Sequence, residues 1–221
     1  IFVTPKYNVD KKYRWVDKRS CKEIEGKYKL LKLDITQYQD AERITDYLHD
    51  KHGKIDILIN AAGINVRLPA EEMTLNAWQK TMDINLTAPY QLSQLVVKKM
   101  KESGWGRIIN IASLQSLRAF DNSIPYGASK GGVMQLTRAL AQAYSKHGIL
   151  VNAIAPGFFH TKLTESLFQD PEKLKVLAAK TMMNRNGEEE DLFGISVFLC
   201  SDANSYITGQ TIFLDGGFSA Q

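Results

Sequence analysis

Strand-like and helix-like segments alternate along almost the whole chain, and this alternation limits the fold more than any other feature. The strand candidates are short and nearly continuously apolar, which is typical of strands buried on both faces of a parallel sheet. They are Tyr28–Leu33, Ile55–Asn60, Arg107–Ile111, Ile149–Ile154 and Thr211–Leu214. The pattern predicts an α/β fold with a doubly wound parallel sheet between two layers of helices, a three-layer α/β/α architecture.

The helical segments are predicted from their apolar spacing and from the residues at their ends. Asp40 is the expected N-cap of the first helix, while Gly104 and Gly148 are expected to end the third and fourth. The predicted helices cover Asp40–Lys51, Leu75–Met82 after Thr74, Ala88–Lys101, a long segment from Ser123 or Pro125 to about Lys146, and Glu188–Cys200. Each lies between two strand candidates or at the ends of the series, as βαβ units require.

Residues 1–221 contain no internal repeat or low-complexity linker, so we expect a single domain. The segment from residue 158 to residue 186 has weaker periodicity than the rest. We interpret it as two short helices that form a lid over the substrate site.

Composition and charge exclude several classes of function. The formal net charge of +4 is spread along the chain without a basic, aromatic patch, so we expect no nucleic-acid partner. No apolar run approaches the ~20 residues of a membrane span, and the N-terminus does not resemble a signal peptide. Cys21, Cys200 and the four histidines show no metal-ligand or disulfide spacing. The sequence therefore predicts a cytoplasmic protein without a metal site.

Tyr126 and Lys130 are the strongest candidates for chemistry. Their i, i+4 spacing near the start of a predicted helix places both side chains on one side. An ammonium group near a phenol favours the phenolate and lowers its pKa, which makes the tyrosine a usable general acid and base. Ser113 ends the strand candidate before this helix, so its hydroxyl is expected beside Tyr126, where it could hold a substrate oxygen.

Two further segments carry polar or small residues after or between the predicted elements. Asn60 and Gly63 follow a strand, where small residues let a flat ligand approach the backbone; a simple tight turn is the alternative. Asn85 lies inside a helical pattern in which asparagine is intrinsically unfavourable. It is either a cap or kink, or a functional residue that holds a water near Lys130.

Seven segments together resemble the short-chain dehydrogenase/reductase family in order and spacing. They are LDIT, NAAG, the asparagine of MDINL, IINIAS, YGASK, VNAIAPGFFHT and TGQTIFLDGG, and they extend from Leu31 to Gly217. The resemblance implies a Rossmann-like sheet and hydride transfer between a nicotinamide cofactor and an alcohol or ketone.

The same resemblance implies a role for individual residues. Tyr126 would transfer the proton, Ser113 would bind the substrate oxygen, Lys130 would lower the pKa of Tyr126 and bind the nicotinamide ribose, and Asn85 would position a relay water. The implied cofactor-binding residues are Asp34, Ile35, Asn60, Gly63, Tyr126, Lys130, Pro156, Gly157 and Thr161. These roles come from the resemblance and not from composition or periodicity.

The beginning of the chain departs from the family pattern. A strand, a TGxxxGxG loop and a helix that receives the pyrophosphate are expected there, but Pro5, Lys6 and Tyr7 stand where glycines should be. Either this glycine-rich unit lies outside the sequence or the chain lacks it. Asp17 follows a strand-like run and could bind the adenosine ribose, which favours NAD over NADP, although Lys18 and Arg19 adjoin it.

The substrate prediction also rests on resemblance. GINVRLPAEEMT and AAKTMMNRNGEEEDLFGISVFL resemble the gluconate 5-dehydrogenase-like enzymes that act on sugar acids and polyols. Arg67 could bind a substrate carboxylate, or be an exposed loop residue. A 3-oxoacyl-(acyl-carrier-protein) reductase and a non-catalytic scaffold without cofactor are the alternatives. The family usually forms tetramers, and apolar residues on the two long helices, Val96, Val97, Leu136 and Leu140, agree with a homotetramer.

Overall fold

The computed structural model describes residues 31–221, which form a parallel sheet with helices on its two faces. The strands are β1 (Ile57–Asn60), β2 (Gly106–Ile111), β3 (Ile149–Pro156) and β4 (Thr211–Leu214). They lie side by side in chain order, β1-β2-β3-β4, and every pair is parallel. The Rossmann-like α/β prediction is confirmed for this part of the chain; the expected absence of a glycine-rich unit falls on residues outside it.

Seven helices connect or follow the strands in the described part of the chain. They are α1 (Tyr38–His52), α2 (Leu75–Met82), α3 (Ala88–Ser103), α4 (Ile124–Tyr144), α5 (Glu165–Phe168), α6 (Pro171–Ala179) and α7 (Asp191–Cys200). Thr74 caps α2 as expected, because its side chain accepts a hydrogen bond from the amide of Ala77 at 3.1 Å. Gly104 and Gly148 follow α3 and α4 with left-handed backbone, which glycine adopts without strain.

Two predictions about the first elements are wrong. Leu31–Leu33, the described part of the first strand candidate, forms no strand, although Leu33 and Ile35 bury their side chains in the core. Asp40 does not cap α1, which begins earlier, at Tyr38. The carboxylate of Asp34 accepts hydrogen bonds from the amide and hydroxyl of Thr36, and the resulting turn starts the helix before Asp40 is reached.

The core lies between the sheet and the helices packed on it. Its largest cluster joins α1, α3 and α4 to β1, β2 and β3, with Ile84, Met100, Ile108 and Ile149 fully buried. Val96, Val97 and Leu140 belong to this cluster, and Leu136 packs against it. The apolar residues that agreed with subunit association are therefore used inside the chain.

A row of polar side chains crosses the buried sheet. The Nδ2 of Asn60 in β1 donates to Oδ1 of Asn110 in β2 at 2.8 Å, and Nδ2 of Asn110 donates to the hydroxyl of Thr137 in α4 at 2.9 Å. Thr137 in turn donates to the carbonyl of Val133. Because buried amides are costly without partners, this row favours one register between β1 and β2 and fixes α4 beneath them.

Candidate active site

The carboxyl ends of β1, β2 and β3 meet at one edge of the sheet, where ligands bind in folds of this kind. β1 ends at Asn60, β2 leads to Ser113, and β3 ends at Pro156. The first turns of α4, with Tyr126 and Lys130, lie against the same edge. The parallel topology thus brings together residues that are distant in sequence.

Ser113 begins a short turn after β2. Its hydroxyl accepts a hydrogen bond from the amide of Gln115 at 3.2 Å, and its own amide donates to the hydroxyl of Ser116. The hydroxyl of Ser116 then donates to the carbonyl of Lys130 at 2.8 Å. This contact ties the Ser113 turn to α4, so the positions of Ser113 and the Tyr126–Lys130 pair are coupled.

The hydroxyl of Tyr126 is hydrogen-bonded to Ser113, as the sequence predicts for two groups that act on one substrate oxygen. Burial raises the pKa of Tyr126, while the Ser113 hydrogen bond and the charge of Arg67 lower it. The net effect is a raised pKa, opposite to the effect expected from Lys130. The physical reason is that desolvation of the phenolate outweighs the favourable contacts.

Lys130 is deeply buried, with 4% of the residue exposed. Its Nζ lies 5.6 Å from the centroid of the Tyr126 ring and donates to the carbonyl of Ile111 at 2.5 Å. Burial lowers the pKa of Lys130 from 10.5 to about 8. An ammonium group has three N–H donors, and among residues 31–221 it bonds only to Ile111. Two donors therefore remain for a ligand.

Asn85 lies in a π-helical turn, Asp83–Thr87, between α2 and α3. Its side chain accepts from the amide of Ile64 and donates to the carbonyl of the same residue, both at 2.9 Å. It also donates to Ser129 at 3.0 Å, and Ser129 donates to the carbonyl of Tyr126 at 2.8 Å. Asn85 thus links the loop after β1 to the start of α4.

Gly63 lies within this link. A Cβ atom added there would come within 3.4 Å of Oδ1 of Asn85 and 3.8 Å of Nζ of Lys130. The absence of a side chain keeps the space beside the ammonium group open. Asn85, Ser113, Tyr126, Lys130 and Gly63 are therefore brought together at one place.

The other predicted cofactor residues are more dispersed. Asn60 is buried below the sheet edge, with Nδ2 bonded to Asn110 and Oδ1 without a hydrogen-bond partner. Asp34 bonds to its own turn, and the side chain of Ile35 packs in the core. Asp17 lies outside the described residues.

Residues near the end of β3 have varied surroundings. Pro156 ends the strand, and the amide of Gly157 donates to the carbonyl of Leu214 at 2.9 Å. Thr161 is exposed, and its hydrogen bonds are to Thr164 in the same turn. Arg67 is also exposed, but its charge acts on Tyr126.

Sequence reasoning missed the residues that hold the site together. Ser116, Ser123 and Ser129 are all buried and bonded to neighbours of the catalytic candidates. The spacing of Ser113 and Ser116 is that of a capping box, which was a readable signal. The contacts of Ser123 and Ser129 cross between elements, so no local pattern reveals them.

Two cavities are lined in part by the segment that is predicted to be a lid. The first has a volume of about 140 Å³ and is lined by residues including Gly157, Phe158, Thr181 and Asp215. The second, of about 470 Å³, lies between His160, Phe168 and the Glu188–Glu190 segment. Neither is lined by Ser113, Tyr126 or Lys130. A bidentate ion pair between Arg185 and Asp191, at 2.6 and 2.8 Å, borders the first cavity.

Residues 31–221 contain no group of three or more His, Cys, Asp or Glu side chains placed to hold a metal ion. None of their helices is long and apolar enough to cross a membrane.

The chain is similar to known proteins over most of its length. A family model described as "Enoyl-(Acyl carrier protein) reductase" matches residues 8–219. Gluconate 5-dehydrogenase of Gluconobacter oxydans is 42% identical over 167 residues, which are 76% of this chain and 65% of the relative. The 5-keto-D-gluconate 5-reductase of Escherichia coli is 37% identical over 184 residues, 83% of this chain and 72% of the relative.

A solved structure is also similar. It is a gluconate 5-dehydrogenase from Burkholderia cenocepacia in complex with NADP and tartrate. The TM-score is 0.83 at 35% sequence identity, covering 86% of this chain and 74% of the other. The similarity therefore extends through most of the sheet and its helices.

Proposed function

Because the chain belongs to the short-chain dehydrogenase/reductase family, we propose that it is an NAD(P)-dependent oxidoreductase that interconverts a secondary alcohol and a ketone. Its substrate is a sugar acid or polyol, as the names of the similar gluconate dehydrogenase and ketogluconate reductase indicate. The observation that carries the proposal is the hydrogen-bonded Ser113–Tyr126 pair beside the buried ammonium group of Lys130.

The described residues fit a nicotinamide nucleotide. Lys130 has two unused N–H donors, which suit the vicinal hydroxyls of a ribose. Gly63 leaves the space beside this ammonium group open. When bound, the nicotinamide would donate or accept the hydride. Asp34, Ile35, Asn60, Pro156, Gly157 and Thr161 remain proposed contacts from the family resemblance.

The proposal includes both NAD and NADP as candidate cofactors. Asp17 favours NAD, and the NADP bound by the similar structure favours NADP. Calorimetric titration of the chain with each nucleotide measures the two dissociation constants and decides between them.

In the proposed mechanism, the chain's own residues handle the proton. Ser113 and Tyr126 both hydrogen-bond the substrate oxygen, and Tyr126 gives it a proton during ketone reduction or takes one during alcohol oxidation. The positive charge of Lys130 stabilises the phenolate once it forms. Asn85 positions a water that passes the proton toward solvent, and Arg67 binds the carboxylate of the substrate.

The raised pKa of Tyr126 has a direction-dependent consequence. At neutral pH the phenol is protonated, so it is ready to donate to a ketone but must lose its proton before it can accept from an alcohol. Reduction is therefore the direction that the site supports at neutral pH, and oxidation is expected to require a higher pH.

The alternatives have less support. A 3-oxoacyl-(acyl-carrier-protein) reductase would share the same catalytic residues, but the sugar-acid enzymes favour the main proposal. A non-catalytic scaffold would have no need for Ser113, Tyr126 and Lys130 to meet at one edge of the sheet.

Replacement of Tyr126 by phenylalanine tests the proposal. Tyr126→Phe removes the proton donor and is expected to lower kcat for reduction of 5-keto-D-gluconate by at least about 10²-fold. Tyr144→Phe is the matched control, since Tyr144 lies at the other end of α4 and its hydroxyl accepts a hydrogen bond from the exposed Gln94. The proposal is wrong if purified protein reduces no sugar-acid ketone with either NADH or NADPH.

Three broader statements are part of the same proposal. The chain forms a homotetramer, its residues 1–221 form one domain in which residues 158–186 are a lid over the substrate site, and it works in the cytoplasm. The two helices α5 and α6 inside the proposed lid agree with the sequence expectation of two short helices there.

A further inference from the structure

Gln115 lies in the candidate site without a role in the proton transfer. Its main-chain amide donates to the hydroxyl of Ser113 at 3.2 Å, so Gln115 directly contacts the group that would hold the substrate oxygen. Only 9% of the residue is exposed. A buried amide side chain is expected to have partners at both its oxygen and its nitrogen.

Only one end of this amide has a partner. Oε1 of Gln115 accepts from the hydroxyl of Ser123 at 3.0 Å, and Ser123 is buried three residues before Tyr126. Nε2 has no hydrogen-bond partner among residues 31–221. The amide is thus fixed at its oxygen, and it carries two N–H donors that the protein itself does not use.

The side-chain amide of Gln115 lies against the first turn of α4, next to Tyr126. Gly127 follows Tyr126, and a Cβ atom added to Gly127 would lie 3.5 Å from Oε1 of Gln115. The carbonyls of Phe120 and Asp121 also lie within hydrogen-bond distance of the Ser123 hydroxyl, at 3.1 and 3.2 Å, and either can accept its single proton in place of Gln115. The side chain of Gln115 is therefore not needed to keep Ser123 in place.

We propose that Gln115 is a specificity-determining residue, whose free amide donors bind a hydroxyl group on a carbon next to the reacting carbon of the substrate. This inference rests on the proposed function and narrows its substrate class to hydroxyketones and vicinal diols. A site that hydrogen-bonds a substrate hydroxyl rejects analogues without one, because its own polar group is then left unpaired.

Two ketones with the same carboxylate-to-ketone spacing test the proposal. One is 5-keto-D-gluconate, and the other is 5-oxohexanoate, which lacks every hydroxyl. Both can bind Arg67, so that contact does not separate them. We expect the wild-type chain to prefer 5-keto-D-gluconate in kcat/KM by at least about 10-fold. Equal values for the two ketones would overturn the proposal without any variant.

Gln115→Met keeps the length of the side chain and removes its hydrogen bonds. We expect kcat/KM for 5-keto-D-gluconate to fall about 10- to 100-fold, while the value for 5-oxohexanoate stays within about threefold. Gln94→Met, on the outer side of α3, is the control and should change neither. Equal losses on both ketones would show that Gln115 only supports Ser113, and no loss on either would show that it does not contact the substrate.

Failure of the proposed function has a different signature. In that case the wild-type chain reduces neither ketone with NADH or NADPH, and both proposals fall together. Failure of this inference alone leaves an active wild-type chain whose preference does not depend on Gln115. Calorimetric binding of D-gluconate to wild type and Gln115→Met gives a readout without turnover, with weaker binding expected for the variant.

Discussion

The charged ammonium group of Lys130 is buried in the protein, away from water. Burial of the ammonium group lowers its pKa to about 8, and the single bond to Ile111 does not offset this. A group whose folded pKa lies below its unfolded value destabilises the fold at every pH where both states are charged. The penalty is complete below about pH 8 and disappears as the pH rises toward the unfolded pKa of 10.5.

Lys130→Met is therefore expected to stabilise the chain while it abolishes activity. At pH 7 the gain in unfolding free energy should be on the order of 2 kcal/mol, and it should shrink toward zero as the pH approaches 10. Urea unfolding at several pH values measures this gain. A variant that is less stable than the wild type at pH 7 would contradict the assigned burial penalty.

Arg67 acts on the same site through its charge. That charge lowers the pKa of Tyr126 although the arginine is exposed. Arg67→Leu should therefore raise the pKa of Tyr126, so that the rising limb of alcohol oxidation moves to higher pH. The shift is measured from pH profiles of kcat/KM. Arg138→Leu, an exposed arginine in the middle of α4, is the control and should leave the profile in place.

The identities of the catalytic candidates could be predicted at this scale, but their energetics could not. Motif order and the i, i+4 spacing were enough to name Ser113, Tyr126 and Lys130. The direction of the Tyr126 pKa was predicted wrongly, because it depends on how deeply the phenol is buried. The contact between Gln115 and Ser123 could not be predicted for a similar reason, since their hydrogen bond forms only when the turn after β2 meets the start of α4.

Among the elements, the starts of α2, α3, β3 and β4 were predicted to the residue, whereas the start of α1 was not. Thr211–Leu214 was predicted to the residue, because it is a short apolar run bounded by the polar residues Gln210 and Asp215. The start of α1 was missed because the Asp34 turn preceded the expected cap. The π-helical turn at Asp83–Thr87 has no sequence signal beyond an unfavourable asparagine, since it depends on contacts of Asn85 with Ile64 and Ser129.

The loops after α3 and α4 meet below the sheet, where Gly148 approaches Gly104. The amide of Gly106 donates to the carbonyl of Gly148 at 3.3 Å, and a Cβ atom added to Gly148 would lie 2.0 Å from the carbonyl oxygen of Gly104. Gly148 also has a φ of 76°, in the left-handed region. A side chain at position 148 is therefore disfavoured twice, by the left-handed backbone and by the contact with Gly104.

Gly148→Ala and Gly53→Ala separate these two effects. Gly53 has a similar φ of 81°, but nothing lies within 4 Å of its added Cβ atom. Gly53→Ala should cost about 1 kcal/mol from the backbone conformation alone, whereas Gly148→Ala should cost at least about 3 kcal/mol. Denaturant unfolding measures both. Equal costs would mean that the loops separate easily and that the contact contributes little.

At the scale of the whole molecule, α7 is a helix that exposes two large apolar side chains. Phe193 and Val197 are 62% and 67% exposed on this helix, while the residues first associated with subunit contacts are in the core or packed against it. The outer edge of β4 is also unpaired among residues 31–221. The proposed tetramer would cover this surface with a second copy of the chain.

Val197→Asp tests this assembly. A charge at the centre of the exposed α7 face should shift the molecular mass measured by light scattering toward smaller species. Val176→Asp, on the equally exposed α6, is the control and should not change the mass. A wild-type chain that elutes as a monomer would remove the basis for the tetramer.

The strands β1 to β4 lie in the sheet in the order in which the chain presents them. Each new strand therefore has its partner already in place when it emerges from a ribosome, and no earlier strand has to wait for a later one to be inserted beside it. The described sheet is able to grow during synthesis in one direction, from β1 outward. Tyr126 and Lys130 precede β3 in the chain, so they would lie beside an incomplete sheet until β3 and β4 are added.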